Sequence, residues 1–126
     1  MAEKRTSDIK KAIAQTEAAM ALYQKELEQR ELNFLMVVKA YEILVEIAWK
    51  HFKSTVEDEG LSAPSPKEAV RKAATIGLIE DPQKWITFIE ARNLSVHDYF
   101  GLDVASFIQL TTELISMAKK DLKIRK

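Results

Sequence analysis

The sequence predicts an all-α protein, an up-and-down antiparallel bundle of four to five helices. Three observations indicate this class. Only three glycines and three prolines occur in 126 residues, apolar residues recur at steps of three and four, and several of the glycines and prolines stand where helices are expected to begin or end. All-β folds need more turn residues than this. Because a chain of this length can bury its own core, we expect one domain over residues 1–126.

The first two predicted helices differ in how much apolar surface they carry. The first runs from Ser7 to Leu27 and is amphipathic, with this inward stripe: Ile9, Ile13, Thr16, Met20, Tyr23 and Leu27. The second runs from about Glu31 to Val56 and is apolar on nearly every side. Such a helix has more apolar surface than its neighbours in a small bundle can cover, so the sequence predicts a homodimer.

The third predicted helix is marked by its ends. Ser65 followed by Pro66, with Glu68 three residues after the serine, is typical of a capping box with proline in the first helical position. Gly77 is a typical residue to follow the last turn of a helix. We therefore expect a short helix that ends at about Ile76 and bridges two longer pairs.

Two further helices follow. Asp81 and Pro82 begin a fourth helix in the same way, and we expect it to end near Tyr99, before Gly101. Asp103 is a suitable cap for a fifth helix. Its expected inward side chains are Phe107, Leu110, Leu114, Met117 or Ala118, and Leu122.

Charge and composition exclude several classes of function. The 19 basic and 19 acidic residues cancel, which argues against a protein that holds nucleic acid by bulk charge. The lack of cysteine excludes disulfide scaffolds, zinc ribbons and thiol nucleophiles. With no signal-peptide core at the N-terminus and no apolar run of roughly 18 residues, we expect a cytoplasmic protein without membrane contact. The C-terminal end of the sequence has an excess of basic residues: Lys119, Lys120, Lys123, Arg125 and Lys126. The negative end of a helix dipole favours such residues, and this is a simpler explanation than contact with RNA.

The remaining chemical inventory is small. Neither of the two histidines has a second ligand within helical reach, so we expect no metal, and no cofactor motif is present. His51 is interpreted as a structural or surface residue. Aromatic residues at helical spacing are interpreted as core rather than as base-stacking groups: Trp49, Trp85 and Phe88.

Residues 91–99 are the exception, because they gather a guanidinium, a carboxamide, an imidazole and a phenol at a helix end. Arg92 suits a phosphoryl oxygen, and histidine is the side-chain type whose unperturbed pKa lies nearest neutrality. Together they are the minimum for RNA cleavage without metal, with His97 moving a proton at the ribose 2′-hydroxyl and Arg92 stabilising charge at phosphorus. On an ideal helix they stand about 140° apart, whereas Asn93 shares a face with His97, and Arg92 with Tyr99. A joint site therefore needs helix distortion, the reach of arginine or a second subunit.

The segment from Arg92 to His97, followed by Asp98 and Tyr99, resembles the signature of the HEPN superfamily. In its HepT-type toxins that signature is Arg, four residues, His, any residue and Tyr. The wider pattern is similar to the nucleotidyltransferase substrate-binding protein branch of the same superfamily. It includes residues 65–71, 77–79, Trp85 and 90–94.

The resemblance implies a homodimer in which two motifs meet in a cleft, and a minimal nucleotidyltransferase as the partner in a toxin–antitoxin pair. It implies a metal-independent ribonuclease with Arg92 and His97 as catalytic residues, Asn93 in support and RNA as substrate. The partner would transfer AMP from ATP to Tyr99, adding bulk and negative charge that silence the toxin. Two alternatives remain: a non-catalytic substrate-binding adaptor of the nucleotidyltransferase, and a structural dimer whose Arg-Asn-His cluster only caps a helix.

Overall fold

The computed structural model describes residues 2–122, and within them the chain forms five α-helices and no strand. The elements are α1 (Ala2–Lys25), α2 (Arg30–Asp58), α3 (Pro66–Thr75), α4 (Pro82–His97), a 3-10 turn (Tyr99–Gly101) and α5 (Val104–Asp121). The predicted all-α bundle is confirmed. No helix in this part of the chain combines the length and the apolar character that crossing a membrane requires.

The core is organised around α2, which packs against each of the other four α-helices. From α4, Trp85 places its ring edge-on against Phe52 and Phe88, with centroids 5.1 and 5.2 Å apart. Its indole N–H donates to the Asp121 carboxylate over 2.7 Å. Trp85 and Phe88 are buried, and Trp49 packs partly buried against the same core, so the interpretation of these aromatic residues as core is confirmed.

The predicted helix caps are present. The Ser65 hydroxyl accepts a hydrogen bond from the backbone N–H of Glu68 over 3.3 Å, at the start of α3. After the last turn of that helix, Gly77 lies in the left-handed region (φ +79°). The N–H groups of Gly77 and Leu78 donate to the carbonyls of Ala74 and Ala73 in that last turn. Asp81 and Asp103 cap the starts of α4 and α5 in the same way.

The first helix differs from its prediction at both ends. It begins before Ser7 and ends at Lys25, so Leu27, predicted to face inward, lies in the link to α2 and is 71% exposed. The prediction for Leu27 is therefore wrong. A physical reason lies at the start of α2, where Arg30 Nε donates to the carbonyl of Tyr23 over 3.2 Å. The Tyr23 carbonyl thus has a hydrogen-bond donor, which would otherwise have to come from the backbone of a further helical turn.

Two of the five basic residues at the chain end lie in the described part, and both are paired with acids of other elements. Lys119 pairs with Glu17, and Lys120 Nζ lies 2.8 Å from Glu80 Oε1. Their charges therefore tie α5 to α1 and to the link before α4. The other three lie outside the described residues: Lys123, Arg125 and Lys126.

Candidate functional site

The last two turns of α4 carry three of the four predicted site residues, and Tyr99 follows the end of the helix. Arg92 is half-buried, whereas Asn93 and His97 are exposed, and the helix ends at His97 rather than near Tyr99. The helix stops because Asp98 leaves the helical conformation and its carboxylate accepts a hydrogen bond, 3.1 Å long, from the N–H three residues on. That bond closes the 3-10 turn instead of continuing α4.

Arg92 is held in the groove between α4 and α2. Its Nη2 lies 2.7 Å from Glu46 Oε1, and its Nη1 donates to the Asn93 side-chain oxygen over 3.0 Å. The other oxygen of Glu46 lies 3.3 Å from Lys50 Nζ. The Arg92 Nε is buried and finds no hydrogen-bond partner among the described residues. The guanidinium is thus fixed by a carboxylate while one of its donors remains unused.

One turn further along α4, Ser95 makes a similar contact. It is buried, and its hydroxyl lies 2.7 Å from Glu42 Oε2 and 2.8 Å from the carbonyl oxygen of Arg92. Because α2 and α4 run antiparallel, the two glutamates, one turn apart, meet the two donors of α4 in reverse order. Glu42 and Glu46 were not predicted as site residues. The sequence pattern that could have indicated them is a pair of carboxylates four residues apart on α2, opposite donors three residues apart on α4.

Arg92 lines a groove of about 290 Å³, which we call the Arg92 cleft. Its other lining residues are Lys39, Glu42, Ile43, Glu46, Ile47 and Val96. Val96 is 54% exposed. On an ideal helix Val96 stands about 40° from Arg92 and about 100° from His97, which places it between them. The surface with the predicted site residues therefore also exposes an apolar side chain.

An apolar strip of α2, which we call the α2 face, continues from this cleft. Its exposed apolar members fall within an arc of about 100° around the helix. They are Leu32, Leu35, Met36 and Ile43. The prediction that α2 carries more apolar surface than the bundle covers is confirmed.

The structure does not bring Arg92 and His97 into one cleft of a single chain. His97 is exposed and takes no part in lining the Arg92 cleft. This agrees with the angle of about 140° that their spacing gives on a helix. A joint site would require a second copy of the motif or movement of the side chains.

Tyr99 lies in a different place from Arg92. Its ring packs against Phe34, with centroids 6.0 Å apart, and against Phe100 at 5.3 Å. Phe34 and Glu46, the contacts of Tyr99 and Arg92 on α2, are twelve residues apart, or about 18 Å along the helix. The expectation that Arg92 and Tyr99 share a helix face is therefore wrong, because α4 ends before Tyr99.

Tyr99 instead lines a second groove, of about 420 Å³, which we call the aromatic cleft. Burial raises the pKa of its hydroxyl above the ordinary value, and the negative charge of Glu31 raises it further. The hydroxyl is therefore protonated at neutral pH. A reaction that uses its oxygen as a nucleophile needs a base to remove that proton.

His51 lies half-buried on α2, in a third groove that is also lined by Arg5 and Lys50. Burial lowers the pKa of its imidazole, and the positive charge of Arg5 lowers it further. Its Nδ1 is buried without a hydrogen-bond partner among residues 4–122. In that same stretch no three His, Asp or Glu side chains are grouped so as to hold a metal ion.

One protein family matches this chain over most of its length. The family is described as "Nucleotidyltransferase substrate binding protein like", and the match covers residues 4–113, from α1 into α5. The chain belongs to this family. The match includes the segment from Arg92 to Tyr99, and the resemblance to nucleotidyltransferase substrate-binding proteins is confirmed. Comparison with curated proteins gives no match.

Proposed function

We propose that this protein is the partner of a minimal nucleotidyltransferase in a two-gene toxin–antitoxin pair. It acts as a homodimeric, metal-independent ribonuclease, and transfer of AMP to Tyr99 silences it. The family match supports the partner, because the family description names a nucleotidyltransferase. The residues at the end of α4 support the ribonuclease role.

One observation carries the proposal. Within an arc of about 140°, the last two turns of α4 carry Arg92, Asn93, Val96 and His97. The last three of these are exposed. A guanidinium and an imidazole thus flank an apolar side chain open to solvent. This combination fits a site that becomes enclosed when a second surface covers Val96.

The chemistry uses groups that the chain supplies. The 2′-oxygen of a ribose attacks the neighbouring phosphorus and gives its proton to His97, while the bond to the 5′-oxygen breaks. The 5′-oxygen takes a proton from a second imidazole, and a 2′,3′-cyclic phosphate remains. Arg92 stabilises the negative charge that builds on the phosphoryl oxygens, and Asn93 donates a hydrogen bond to them.

A homodimer fits this chemistry for two reasons. It provides two imidazoles, one to accept a proton and one to donate it. It also covers the exposed apolar side chains of the α2 face together with Val96. Joining two copies through this surface places the two Arg92 clefts side by side.

Modification of Tyr99 would act on the neighbouring histidine. Tyr99 lies two residues after His97, and an attached AMP adds a bulky group with a negative phosphodiester close to the path of RNA. Repulsion between the two phosphates, and steric overlap, oppose RNA binding.

A second candidate function is a non-catalytic substrate-binding subunit of the nucleotidyltransferase. The ion pair between Arg92 and Glu46 favours it, since it engages the guanidinium in holding α4 to α2. In that case the motif stabilises the surface on which the nucleotidyltransferase docks. The two candidates differ in whether the purified protein cleaves RNA.

The test is an RNA cleavage assay with purified, unmodified protein in the presence of a metal chelator. We expect cleavage by the wild type and a loss of about 100-fold or more in His97→Ala. His51→Gln, which removes the only other histidine of the chain, is the matched control and should cleave normally. Intact RNA with the wild type, or equal cleavage by His97→Ala, would support the adaptor instead.

The silencing step is tested by co-expression with the neighbouring nucleotidyltransferase and measurement of the intact mass. We expect one or more adenylyl groups on the wild type and none on Tyr99→Phe. Tyr23→Phe, which removes another hydroxyl that lines the same cleft, should be modified like the wild type. Modification of Tyr99→Phe to the same extent would reject Tyr99 as the acceptor.

A further inference from the structure

The groove that contains His51, which we call the Arg5 groove, has a volume of about 240 Å³ and lies beside the Arg92 cleft. Ile47 lines both, so the two share a border on α2. Three basic side chains and one acidic side chain line the Arg5 groove: Lys4, Arg5, Lys50 and Asp8. A mainly cationic groove next to a site that suits phosphate is expected to attract the same negatively charged strand.

Arg5 supplies the uncompensated charge of this groove. Its Nη1 donates to the hydroxyl of Ser54 on α2 over 2.7 Å, which fixes the guanidinium against that helix. Within residues 4–122 it forms no ion pair. Its positive charge also lowers the pKa of the neighbouring His51, so it acts within the groove. The bond to Ser54 uses one N–H of the guanidinium, and the remaining donors suit a phosphoryl oxygen.

The two lysines of the groove are engaged by acids. Lys4 Nζ lies 3.3 Å from Asp8 Oδ2, and Lys50 Nζ lies 3.3 Å from Glu46 Oε2. Both lysine side chains are mostly exposed, so these pairs are weak and open easily. Glu46 also holds Arg92, so its carboxylate is neutralised from both sides. The acids thus offset the lysines but leave the charge of the remaining arginine of the groove uncompensated.

His51 adds no charge to the groove at neutral pH. Burial and the charge of Arg5 both lower the pKa of its imidazole, so the neutral form prevails there. The attraction of the groove for an anion at neutral pH therefore comes from the guanidinium and the two ammonium groups.

We propose that the Arg5 groove binds a phosphodiester of an RNA strand, next to the phosphate in the Arg92 cleft. The choice of RNA rests on the proposed ribonuclease function, whereas the phosphate contacts rest on the lining of the groove. Arg5 binds the phosphoryl oxygens through the donors that Ser54 leaves unused. Glu46 and Lys50 are four residues apart, or about 6 Å along α2, so one strand can lie across both sites. Arg5 binds the strand and takes no part in breaking it.

The test is the binding of a 2′-O-methyl RNA of about 12 nucleotides to the purified protein at neutral pH and several salt concentrations. This probe lacks the 2′-hydroxyl that the proposed cleavage requires. For a single strand, each phosphate contact contributes about 0.7 to the slope of the logarithm of the binding constant against that of the salt concentration. We expect Arg5→Gln to reduce the slope by about 0.7 and to weaken binding about fivefold at about 0.1 M salt. Fluorescence anisotropy measures both.

Three variants serve as controls. Arg5→Lys keeps the positive charge and should retain the slope of the wild type. Lys10→Gln removes a charge from an exposed position about 140° from Arg5 around α1, and should also retain it. His51→Gln leaves the charge of the groove unchanged at neutral pH and should bind like the wild type.

Asp8→Asn tests the groove without altering Arg5. The change removes the acid that lines the groove and frees Lys4, so we expect RNA binding to become about threefold tighter. Circular dichroism checks that each variant keeps its helices. If Arg5→Gln fails to fold, Asp8→Asn decides alone, and binding equal to that of the wild type then overturns the inference.

The inference and the proposed function fail in different ways. No saturable binding of the methylated RNA, or an unchanged slope in Arg5→Gln, overturns the inference even if the wild type cleaves ordinary RNA. Inorganic phosphate that binds as tightly as the oligonucleotide, and more weakly to Arg5→Gln, would assign the groove to free phosphate and overturn it too. Ordinary RNA that stays intact while the methylated RNA binds through Arg5 rejects the ribonuclease and leaves the groove as an RNA site.

Discussion

The guanidinium of Arg92 on α4 and the carboxylate of Glu46 on α2 form an ion pair, with Nη2 and Oε1 2.7 Å apart. Glu46 also holds Lys50, so one carboxylate is shared by two cations. In the proposed ribonuclease, a phosphate that binds Arg92 would compete with Glu46. A change at Glu46 would then alter the affinity of the Arg92 cleft for RNA.

Replacement of Glu46 by glutamine should increase RNA binding. The change removes the competing negative charge, and we expect affinity and cleavage rate to rise by roughly threefold, equivalent to about 0.6 kcal/mol. Filter binding and the cleavage assay measure both. Glu57→Gln, which breaks the Lys53–Glu57 pair elsewhere on α2, is the matched control. Weaker RNA binding by Glu46→Gln would contradict the idea that the carboxylate competes with phosphate.

The same variant also tests how much the ion pair stabilises the fold. Both side chains are about one-third exposed, so we expect Glu46→Gln to lower the free energy of unfolding by less than about 1 kcal/mol. Urea denaturation gives this value. A loss several times larger would show that the pair is chiefly structural and would favour the adaptor function.

Charged substitutions in the proposed dimer surface should separate the subunits. We expect Val96→Lys and Ile43→Lys each to shift the protein from dimer to monomer, because an ammonium would be buried against apolar surface. Analytical ultracentrifugation measures the mass, and circular dichroism checks that the helices remain. Leu27→Lys places the same charge on an exposed residue of the link between α1 and α2, and should stay dimeric. A wild-type protein that sediments as a monomer would reject the dimer.

The half-buried His51 should make the fold less stable in mild acid. Because burial and Arg5 lower its pKa in the folded state, the unfolded chain binds a proton first as the pH falls through about 6.5. The free energy of unfolding therefore decreases as the pH falls from neutral to below about 6.5. Urea denaturation at about pH 7.5 and about pH 5.5 should show a smaller decrease in His51→Gln than in the wild type. An equal decrease in both would mean that His51 titrates alike in the folded and unfolded chain.

Removal of the Ser65 cap should destabilise α3 and with it the contacts of α3 to α2 and α4. We expect Ser65→Ala to lower the free energy of unfolding by about 1 kcal/mol, since the N–H of Glu68 loses its acceptor. Ser62→Ala, at an exposed serine in the same link, should have little effect. Urea denaturation of the wild type and both variants gives the midpoints. A midpoint of Ser65→Ala equal to that of Ser62→Ala would contradict a capping role.

Structural features that depend on residues close together in the sequence were predicted best. The caps of α3, α4 and α5 were predicted because each involves a side chain and an N–H three residues away. The end of α4 lies two residues before the predicted Tyr99 for a related reason. Asp98 is part of the motif and also closes a turn with Gly101, and this second role ends the helix.

The contacts of Arg92 and Ser95 could not be predicted in the same way. Their partners, Glu46 and Glu42, are 46 and 53 residues distant along the chain. Which glutamate meets which donor depends on the register of α4 against α2, and that register is set by the packing of the whole core. The aromatic cleft likewise depends on where the end of α1 and the start of α2 meet the 3-10 turn.

The 3-10 turn gives unusual importance to a residue with no side chain. A Cβ atom at position 101 would collide with the carboxylate of Asp98, which would have to release the N–H that it holds. The side-chain bond that helps to close the turn would then be lost, in the segment that carries Tyr99 and Phe100, whereas Arg92 lies earlier, within α4. A single added methyl group at position 101 therefore acts next to the aromatic cleft and touches no residue that lines the Arg92 cleft.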